Sequence, residues 1–366
     1  TYMSSQVPRE YEELPSFETV QQDKEAFAVM FEKFYKNISS NIRKGQYQKY
    51  HNRYLVINYP SENLTTEELD EIFDISFFRN IHPFYKKMGQ IKAIDTVRYS
   101  ITTHRGCKGE CNFCSIAIHQ GRDIISRSKD SIIKEAKEIA EHPEFKGTIH
   151  NVGGPTANMY GMECSAINKK NACTNKRCLH PHYCKSLTLA HKKQIELLRV
   201  MRAIPQVKNV FIGSGLRYDL IMFDSQYGKK YLEEIIKHHT SGQLKIAPEH
   251  SESAILSLMG KNDITDLKSF KKAFDAINKN INKKQFLTYY FIAAHPGCAE
   301  KHMKSLKGYI QKNLQIKPEQ VQIFTPTPST YSTLMYYTEK NPFSGEDIFV
   351  EKSPMHKQKQ KDTITD

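Results

Sequence analysis

Between residues 96 and 330, short runs rich in β-branched and aromatic residues alternate with segments of helical periodicity, and this alternation limits the possible folds most strongly. The six runs that predict strands are 96–103, 148–152, 208–212, 243–247, 285–293 and 320–325. The clearest helices between them are predicted over 129–141, 187–204, 266–281 and 300–314. Strands joined by helical crossovers run parallel in one sheet. The sequence therefore predicts an α/β fold, open or closed into a barrel, with ligands bound where the strands end.

Two shorter regions flank this core. Residues 1–95 predict an N-terminal α+β lead-in, with a helix over 17–35 and a strand over 53–58. Thr65 and Glu68 have the spacing of a capping box, which predicts the start of a second helix. Residues 331–366 predict a short C-terminal extension whose lysine-rich end is solvated.

The composition and the N-terminus favour a cytoplasmic protein. No apolar run approaches the ~20 residues of a membrane span, and the N-terminus lacks a secretory signal. Position 1 is Thr rather than Met, which indicates a piece of a longer chain. Lysine and arginine together exceed the acidic residues by 13. That excess favours an anionic partner such as RNA, although lysines spread along a chain are also typical of a solvated surface.

Three cysteines follow the first predicted strand with the spacing C-x3-C-x2-C: Cys107, Cys111 and Cys114. Thiolates in a glycine-containing loop are typical ligands of an iron–sulfur cluster. Three of them leave one iron with an open position, at which a small molecule can bind. The alternative is a structural zinc site completed by His104 or His119, although such sites more often have a second pair of ligands further along the chain.

The segment RGCKGECNFCSIAIHQGR resembles the radical S-adenosylmethionine (SAM) superfamily, with Phe113 as the aromatic residue beside the last cysteine. The further segments HNVGGPTANMYG, SGLRYD, LKIAPEHSE, YFIAAHPG and FTPTPSTYSTLMYYTEKNPF resemble the YgiQ-like (UPF0313) family. This resemblance implies a partial (βα)6 radical SAM barrel over residues 96–330. It also implies that fuller members carry a preceding domain similar to a cobalamin-binding fold and a longer C-terminal extension.

The resemblance implies a radical SAM enzyme. A [4Fe-4S] cluster held by the triplet would bind SAM and cleave it reductively to a 5′-deoxyadenosyl radical, which abstracts hydrogen from the substrate. A flavodoxin- or ferredoxin-like protein would supply the electron. The sequence does not reveal the substrate, and RNA is one candidate. The alternatives are a nucleic-acid-binding protein braced by zinc and a SAM-binding scaffold without catalysis.

The resemblance also assigns SAM contacts to loops after the second and third strands. Gly153 and Gly154 stand where the superfamily has a GGE-like motif whose backbone meets the SAM amino group, and Pro155 replaces the acid of that motif. A simple strand-to-loop turn explains these glycines equally well. Ser214 and Arg217 would bind the SAM carboxylate or the ribose. The alternative is a helix start with Ser214 as the N-cap and Arg217 solvated.

Two more loops carry polar residues. Glu249 and His250 follow the fourth strand at an ESG-like position, where a carboxylate would bind ribose hydroxyls or position the substrate. The turn 295–297, with the sequence HPG, resembles the GFPGET-like turn and would lie near the adenine or the substrate. A structural turn is the alternative for both loops.

A second cysteine group lies in the insert 155–185, which is long enough to predict a function or a metal brace. Its members are Cys164, Cys173, Cys178 and Cys184. Four thiols at this spacing predict an auxiliary iron–sulfur cluster or a structural zinc site, and disulfides are the third option. Cys298 stands apart and predicts a small buried residue rather than a nucleophile.

Overall fold

A computed structural model describes residues 1–39, 44–89, 91–166 and 177–366. Its strands are β1 Tyr2–Ser4, β2 Glu12–Leu14, β3 Gln46–Tyr50, β4 Arg53–Ile57, β5 Ser100–Thr102, β6 His104–Arg105, β7 Ile125–Ser126, β8 Thr148–Ile149, β9 Asn151–Gly153, β10 Glu163–Cys164, β11 Leu187–Thr188, β12 Asn209–Val210, β13 Gln243–Glu249, β14 Phe286–Ala293 and β15 Gln320–Ile323. Its α-helices are α1 Phe17–Gln22, α2 Lys24–Ser39, α3 Thr66–Phe73, α4 Ile94–Val97, α5 Ile116–Gln120, α6 Lys129–Ala140, α7 His191–Arg202, α8 Tyr218–Phe223, α9 Gly228–Glu234, α10 Ser253–Leu258, α11 Thr265–Asn280, α12 Glu300–Tyr309, α13 Tyr331–Thr338 and α14 Pro354–Thr365.

The predicted core strands lie side by side in chain order and run parallel. β5 pairs with β9, and β8, which directly precedes β9, pairs with β12. β13 pairs with β14, and β14 pairs with β15. A parallel bridge between Leu216 and Ile246 joins the two halves. Across the described ranges β5 and β15 do not pair, so the α/β prediction is confirmed while the sheet stays open rather than forming a closed barrel.

The crossover helices cover this sheet with one apolar face each. In α6, Ile132, Ala136 and Ile139 are fully buried, as their spacing predicts, and the side chain of Ser128 caps the helix. In α11, Phe270 and Phe274 enter the same continuous core. Burial of each large apolar side chain contributes about 1.5–3 kcal/mol to the free energy of folding. The core is therefore the layer between the sheet and its helices.

Three predicted boundaries are wrong, because in each case a different structure forms within or at the end of the predicted element. The helix predicted over 17–35 breaks at Asp23, whose carboxylate accepts a hydrogen bond from the Glu25 amide and caps α2. The strand predicted over 96–103 is shortened because residues 94–97 form the helical turn α4. The helix predicted over 187–204 begins only at His191, because Leu187 and Thr188 pair with β10.

The lead-in and the C-terminal extension both pack on the core. The capping box at Thr65 and Glu68 is present and starts α3 as predicted. In α14, the side-chain amide of buried Gln360 accepts a hydrogen bond from the Ala294 amide and donates one to the Cys298 carbonyl. The lysine-rich end is therefore a helix anchored to the last strands of the sheet, not the solvated extension that its composition predicts. Among the described residues, no helix is both long and apolar enough to cross a membrane.

Candidate functional site

A cavity of about 820 Å³, partly open to solvent, lies where the parallel strands end. Its walls come from the cysteine loop after β5 and β6, from the segments after β9 and β12, and from the end of β13 with the segment that follows it. They meet there because the carboxyl ends of parallel strands share one edge. The sequence-predicted residues that line it are Cys107, Cys111, Phe113, Cys114, Arg217 and Glu249.

The cysteine loop is held in place by backbone contacts far apart in sequence. The Asn112 amide donates to the Met259 carbonyl, and its side-chain nitrogen donates to the Leu258 carbonyl, both at 2.8 Å. The Ser332 amide donates to the Asn112 carbonyl at 2.9 Å. A loop between three thiols is thus fixed both by the loop after α10 and by the C-terminal helix α13.

Close packing, rather than flexibility, explains the glycines of this loop. Gly106 has φ +86°, and a Cβ there would lie 1.8 Å from the Asp123 carbonyl oxygen. At Gly109 a Cβ would lie 3.2 Å from Nη1 of Arg217 and 3.3 Å from Sγ of Cys107. The backbone can approach the thiols only where no side chain intervenes.

The three thiols of the triplet are free, and their environment fits a metal cluster. Burial raises the pKa of Cys111 and raises that of Cys114 to about 12, while the nearby Arg217 and Lys261 cations lower that of Cys111. Metal coordination deprotonates a thiol outright, and these cations would balance the resulting negative charge.

The spacing of possible ligands also bears on the zinc alternative. Within the described ranges, no three His, Cys, Asp or Glu side chains are close enough to hold one metal ion. In a four-iron cluster each cysteine binds a different iron, so the ligand sulfurs need not converge on one point.

Arg217 is buried and bound to a partner that the sequence analysis missed. Its Nε donates to Oδ1 of Asp219 at 2.9 Å, and its Nη2 forms an ion pair with the same carboxylate. Its Nη1 lies 3.8 Å from Sγ of Cys111. The ion pair with Arg217 lowers the pKa of Asp219 against the effect of burial. The guanidinium is therefore neither solvated nor free to rotate, and it faces both the cavity and the cysteine loop.

Glu249 lies across the cavity with a second unanticipated partner. Lys261 places Nζ 3.8 Å from Oε1 of Glu249 and donates a hydrogen bond to the Ala247 carbonyl. Burial raises the pKa of Glu249, and Lys261 acts against that effect. The only sequence signal for Asp219 and Lys261 was their position in segments that follow strands, which they share with many other polar residues.

Gly153, Gly154 and Ser214 lie beside the cavity but do not line it. Gly153 packs on Ala157, and a Cβ at Gly154 would lie 2.5 Å from Nε2 of buried His104. The hydroxyl of Ser214 accepts a hydrogen bond from Asn151 at 2.9 Å. The N-cap position before α8 is Arg217, so the alternative with Ser214 as N-cap is wrong. The neighbouring residues Pro155, Thr156 and Gly215 are the ones that reach the cavity.

The HPG turn and His250 form a buried cluster behind Phe113. Nδ1 of His295 donates to the Pro296 carbonyl at 2.8 Å, and Nε2 accepts from the Ser332 hydroxyl at 2.7 Å. Nε2 of His250 lies 3.7 Å from Sγ of Cys298. Burial lowers the pKa of His295 to about 4 and raises that of Cys298 to about 12. These groups are neutral and inaccessible, as predicted for Cys298 as a small buried residue.

Two members of the second cysteine group, Cys178 and Cys184, lie next to the first group, and one other member is outside the described residues. Cys173 is that member; Cys164, Cys178 and Cys184 are free thiols. Cys178 and Cys184 pack in the same small apolar cluster as Cys107. The auxiliary metal site therefore stays a prediction.

Comparison with known proteins places the chain in a family. A family profile described as Radical SAM N-terminal matches residues 1–100. A UPF0313 protein of Fusobacterium nucleatum is 54% identical over 365 residues, covering 100% of this chain and 64% of that protein. The chain belongs to the UPF0313 family. A UPF0313 protein of Clostridium botulinum is 44% identical over 363 residues, covering 99% of this chain and 56% of that protein. The chain thus spans about three fifths of the length of the curated relatives that it matches.

Two solved structures show a more distant likeness to this UPF0313 chain. One is the radical S-adenosylmethionine methyltransferase TsrM from Kitasatospora setae, with cobalamin and a [4Fe-4S] cluster bound. The match covers 65% of this chain and 38% of the TsrM chain, at 12% sequence identity and a TM-score of 0.44. The match to the cobalamin-dependent S-adenosylmethionine radical enzyme OxsB, with aqua-cobalamin bound, covers 80% of this chain and 35% of OxsB. Its sequence identity is 14% and its TM-score is 0.44. Likeness at this level does not indicate a function for this chain.

Proposed function

We propose that this chain is the SAM-cleaving core of a radical SAM enzyme. One observation carries the proposal: Cys107, Cys111 and Cys114 line a single cavity together with a buried arginine and a buried glutamate. A cluster with three protein ligands needs free thiols around a pocket that also accepts a small polar molecule. The cavity offers both, at the edge of a parallel sheet where ligands gather.

The residues of the chain would divide the work of binding. The three cysteines would hold a four-iron, four-sulfur cluster, which when bound would supply the electron for reductive cleavage of SAM. Arg217, fixed by Asp219, presents a cation for the SAM carboxylate. Glu249 presents a carboxylate for ribose hydroxyls. Phe113 contributes an apolar wall, and its ring lies edge-on to His295 with 6.3 Å between the ring centroids.

The proposal is tested on protein purified without oxygen, reconstituted with iron and sulfide, and supplied with dithionite and SAM. Bound iron of about four atoms per chain, a brown visible spectrum and release of 5′-deoxyadenosine are expected. About eight atoms would extend the proposal to an auxiliary cluster at the second cysteine group. A colourless, zinc-loaded protein that does not cleave SAM would refute the proposal in favour of a zinc-braced binding protein.

The substrate and the electron donor are proposed only by class. The net charge of +13 supports an anionic substrate such as RNA, and a flavodoxin- or ferredoxin-like protein would deliver the electron. Salt-sensitive RNA binding that also changes the rate of 5′-deoxyadenosine formation would support the RNA proposal. A rate that RNA leaves unchanged would count against it.

A further inference from the structure

The backbone at Glu249 is strained in a way that turns its side chain toward the cavity. β13 pairs regularly with β14 as far as Ile246, and the register then shifts before Glu249. Glu249 itself has φ +69°, a left-handed conformation that is unfavourable for a non-glycine residue. Such strain persists where the surroundings hold it in place, and it concentrates at functional sites.

Lys261 is the side chain that meets Glu249 there. Helix α10 ends at Leu258, and Gly260, at φ +69°, turns the chain back toward the cavity. Lys261 then enters the cavity wall, with its ammonium bonded to the Ala247 carbonyl and 3.8 Å from the Glu249 carboxylate. Both side chains are only 10% exposed. Burying a lysine with a single carboxylate partner has a desolvation cost that can exceed the gain from the ion pair. Such a pair is therefore weak evidence for a role in stability, and a functional role is the alternative.

The cavity thus contains two buried ion pairs. They differ in which partner, the cation or the carboxylate, would bind the ligand. In the Arg217–Asp219 pair the cation is the group that the proposed function uses, and the acid holds it. In the Glu249–Lys261 pair the carboxylate is the group that would bind the ligand, and the cation would position that carboxylate. The second pair has looser geometry, since the 3.8 Å separation leaves the carboxylate able to accept other hydrogen bonds.

We propose that Lys261 is a positioning residue that holds the Glu249 carboxylate in place to accept hydrogen bonds from the ribose hydroxyls of SAM. This inference rests on the proposed function. Burial alone raises the pKa of Glu249, and the ammonium of Lys261 favours its charged form, which is the stronger acceptor. Loss of Lys261 would therefore weaken recognition of the ribose more than recognition of the amino-acid end.

The test measures equilibrium binding of SAM and of 2′-deoxy-SAM to the reconstituted protein by anaerobic dialysis. The variants are Lys261→Met, Lys261→Arg, Glu249→Gln and the Lys261→Met/Glu249→Gln double variant. Wild type is expected to bind SAM about 10-fold more tightly than 2′-deoxy-SAM, because only SAM donates the 2′-hydroxyl hydrogen bond to a charged group. Lys261→Met is expected to reduce this preference to about 2-fold or less, and Lys261→Arg to retain most of it. The double variant is expected to match Glu249→Gln alone, because Lys261 acts through Glu249.

Controls separate this inference from the proposed function. Lys271→Met removes a partly exposed lysine, distant from the cavity lining, from its pair with Asp275 and is expected to leave both affinities unchanged. If wild type does not bind SAM, the proposed function fails and the inference fails with it. If wild type prefers SAM and Lys261→Met keeps that preference, the role of Lys261 alone is refuted. Should Lys261→Met not fold, Lys261→Gln keeps a donor for the Ala247 carbonyl and must show the same loss.

Discussion

Nη1 of Arg217 lies 3.8 Å from Sγ of Cys111, although 106 residues separate them in the chain. Arg217 is buried and Cys111 is half-buried, and the Nε and Nη2 edge of the guanidinium is bound by Asp219. This one arginine therefore links the cysteine loop to the loop after the third core strand. A cation so close to a thiol also stabilises its thiolate form.

We expect Asp219→Asn to destabilise the protein by about 3 kcal/mol, because it leaves a buried guanidinium without its counterion. Chemical unfolding with a fluorescence or circular dichroism readout measures this loss. Asp275→Asn is the matched control, since Asp275 pairs with Lys271 at the surface and is expected to cost less than 0.5 kcal/mol. Equal stability of the two variants would show that the Arg217–Asp219 pair is not a structural necessity.

We expect Cys111→Ala to abolish iron binding and 5′-deoxyadenosine release while the core stays folded. The cysteine contributes little apolar area, but a cluster with two protein ligands would not be retained. Iron content, circular dichroism and chromatography of the products provide the measurements. Cys298→Ala, at a buried thiol away from the cavity, is the control and is expected to keep both iron and activity. Retained 5′-deoxyadenosine production in Cys111→Ala would overturn the assignment of the triplet.

We expect Gly154→Ala to cost about 1–3 kcal/mol, because its methyl group would lie 2.5 Å from Nε2 of the buried His104 ring. Gly215→Ala serves for comparison: a Cβ there meets no atom within 4 Å. The free energy of unfolding of that variant is expected to stay within about 0.5 kcal/mol of wild type. If both variants are equally stable, His104 does not restrict position 154.

We expect acid to destabilise the fold partly through His295. Its pKa is about 4 in the folded protein and about 6.5 when unfolded. Between these values the unfolded chain binds more protons, so stability is fully present above pH 6.5 and falls as the pH drops toward 4. His295 alone accounts for about 1 kcal/mol between pH 7 and 5.5. Urea unfolding at these two pH values should therefore show a smaller loss for His295→Gln than for wild type, and an equal loss would contradict the assignment.

Much of the fold followed from local patterns. The strands after residue 96, the face of α6 and the capping box at Thr65 each depend on residues close in sequence, and periodicity and capping chemistry are local properties. The errors arose where a single residue or a distant partner changed the outcome. Asp23 split a continuous helical pattern, and pairing of β11 with β10 removed the first turn of α7.

By itself the sequence determined the cysteine triplet, the alternation of parallel strands with helices and the membership of the chain in its family, because spacing and alternation are properties of the linear chain. Only the tertiary structure decided which polar residues share the cavity. Asp219 and Lys261 became part of it, and Gly153, Gly154 and Ser214 did not line it. The physical reason is that burial and ion pairing depend on loops that meet only when the strands align. Lys261 reaches Glu249 only because Gly260 turns its loop back over the end of β13.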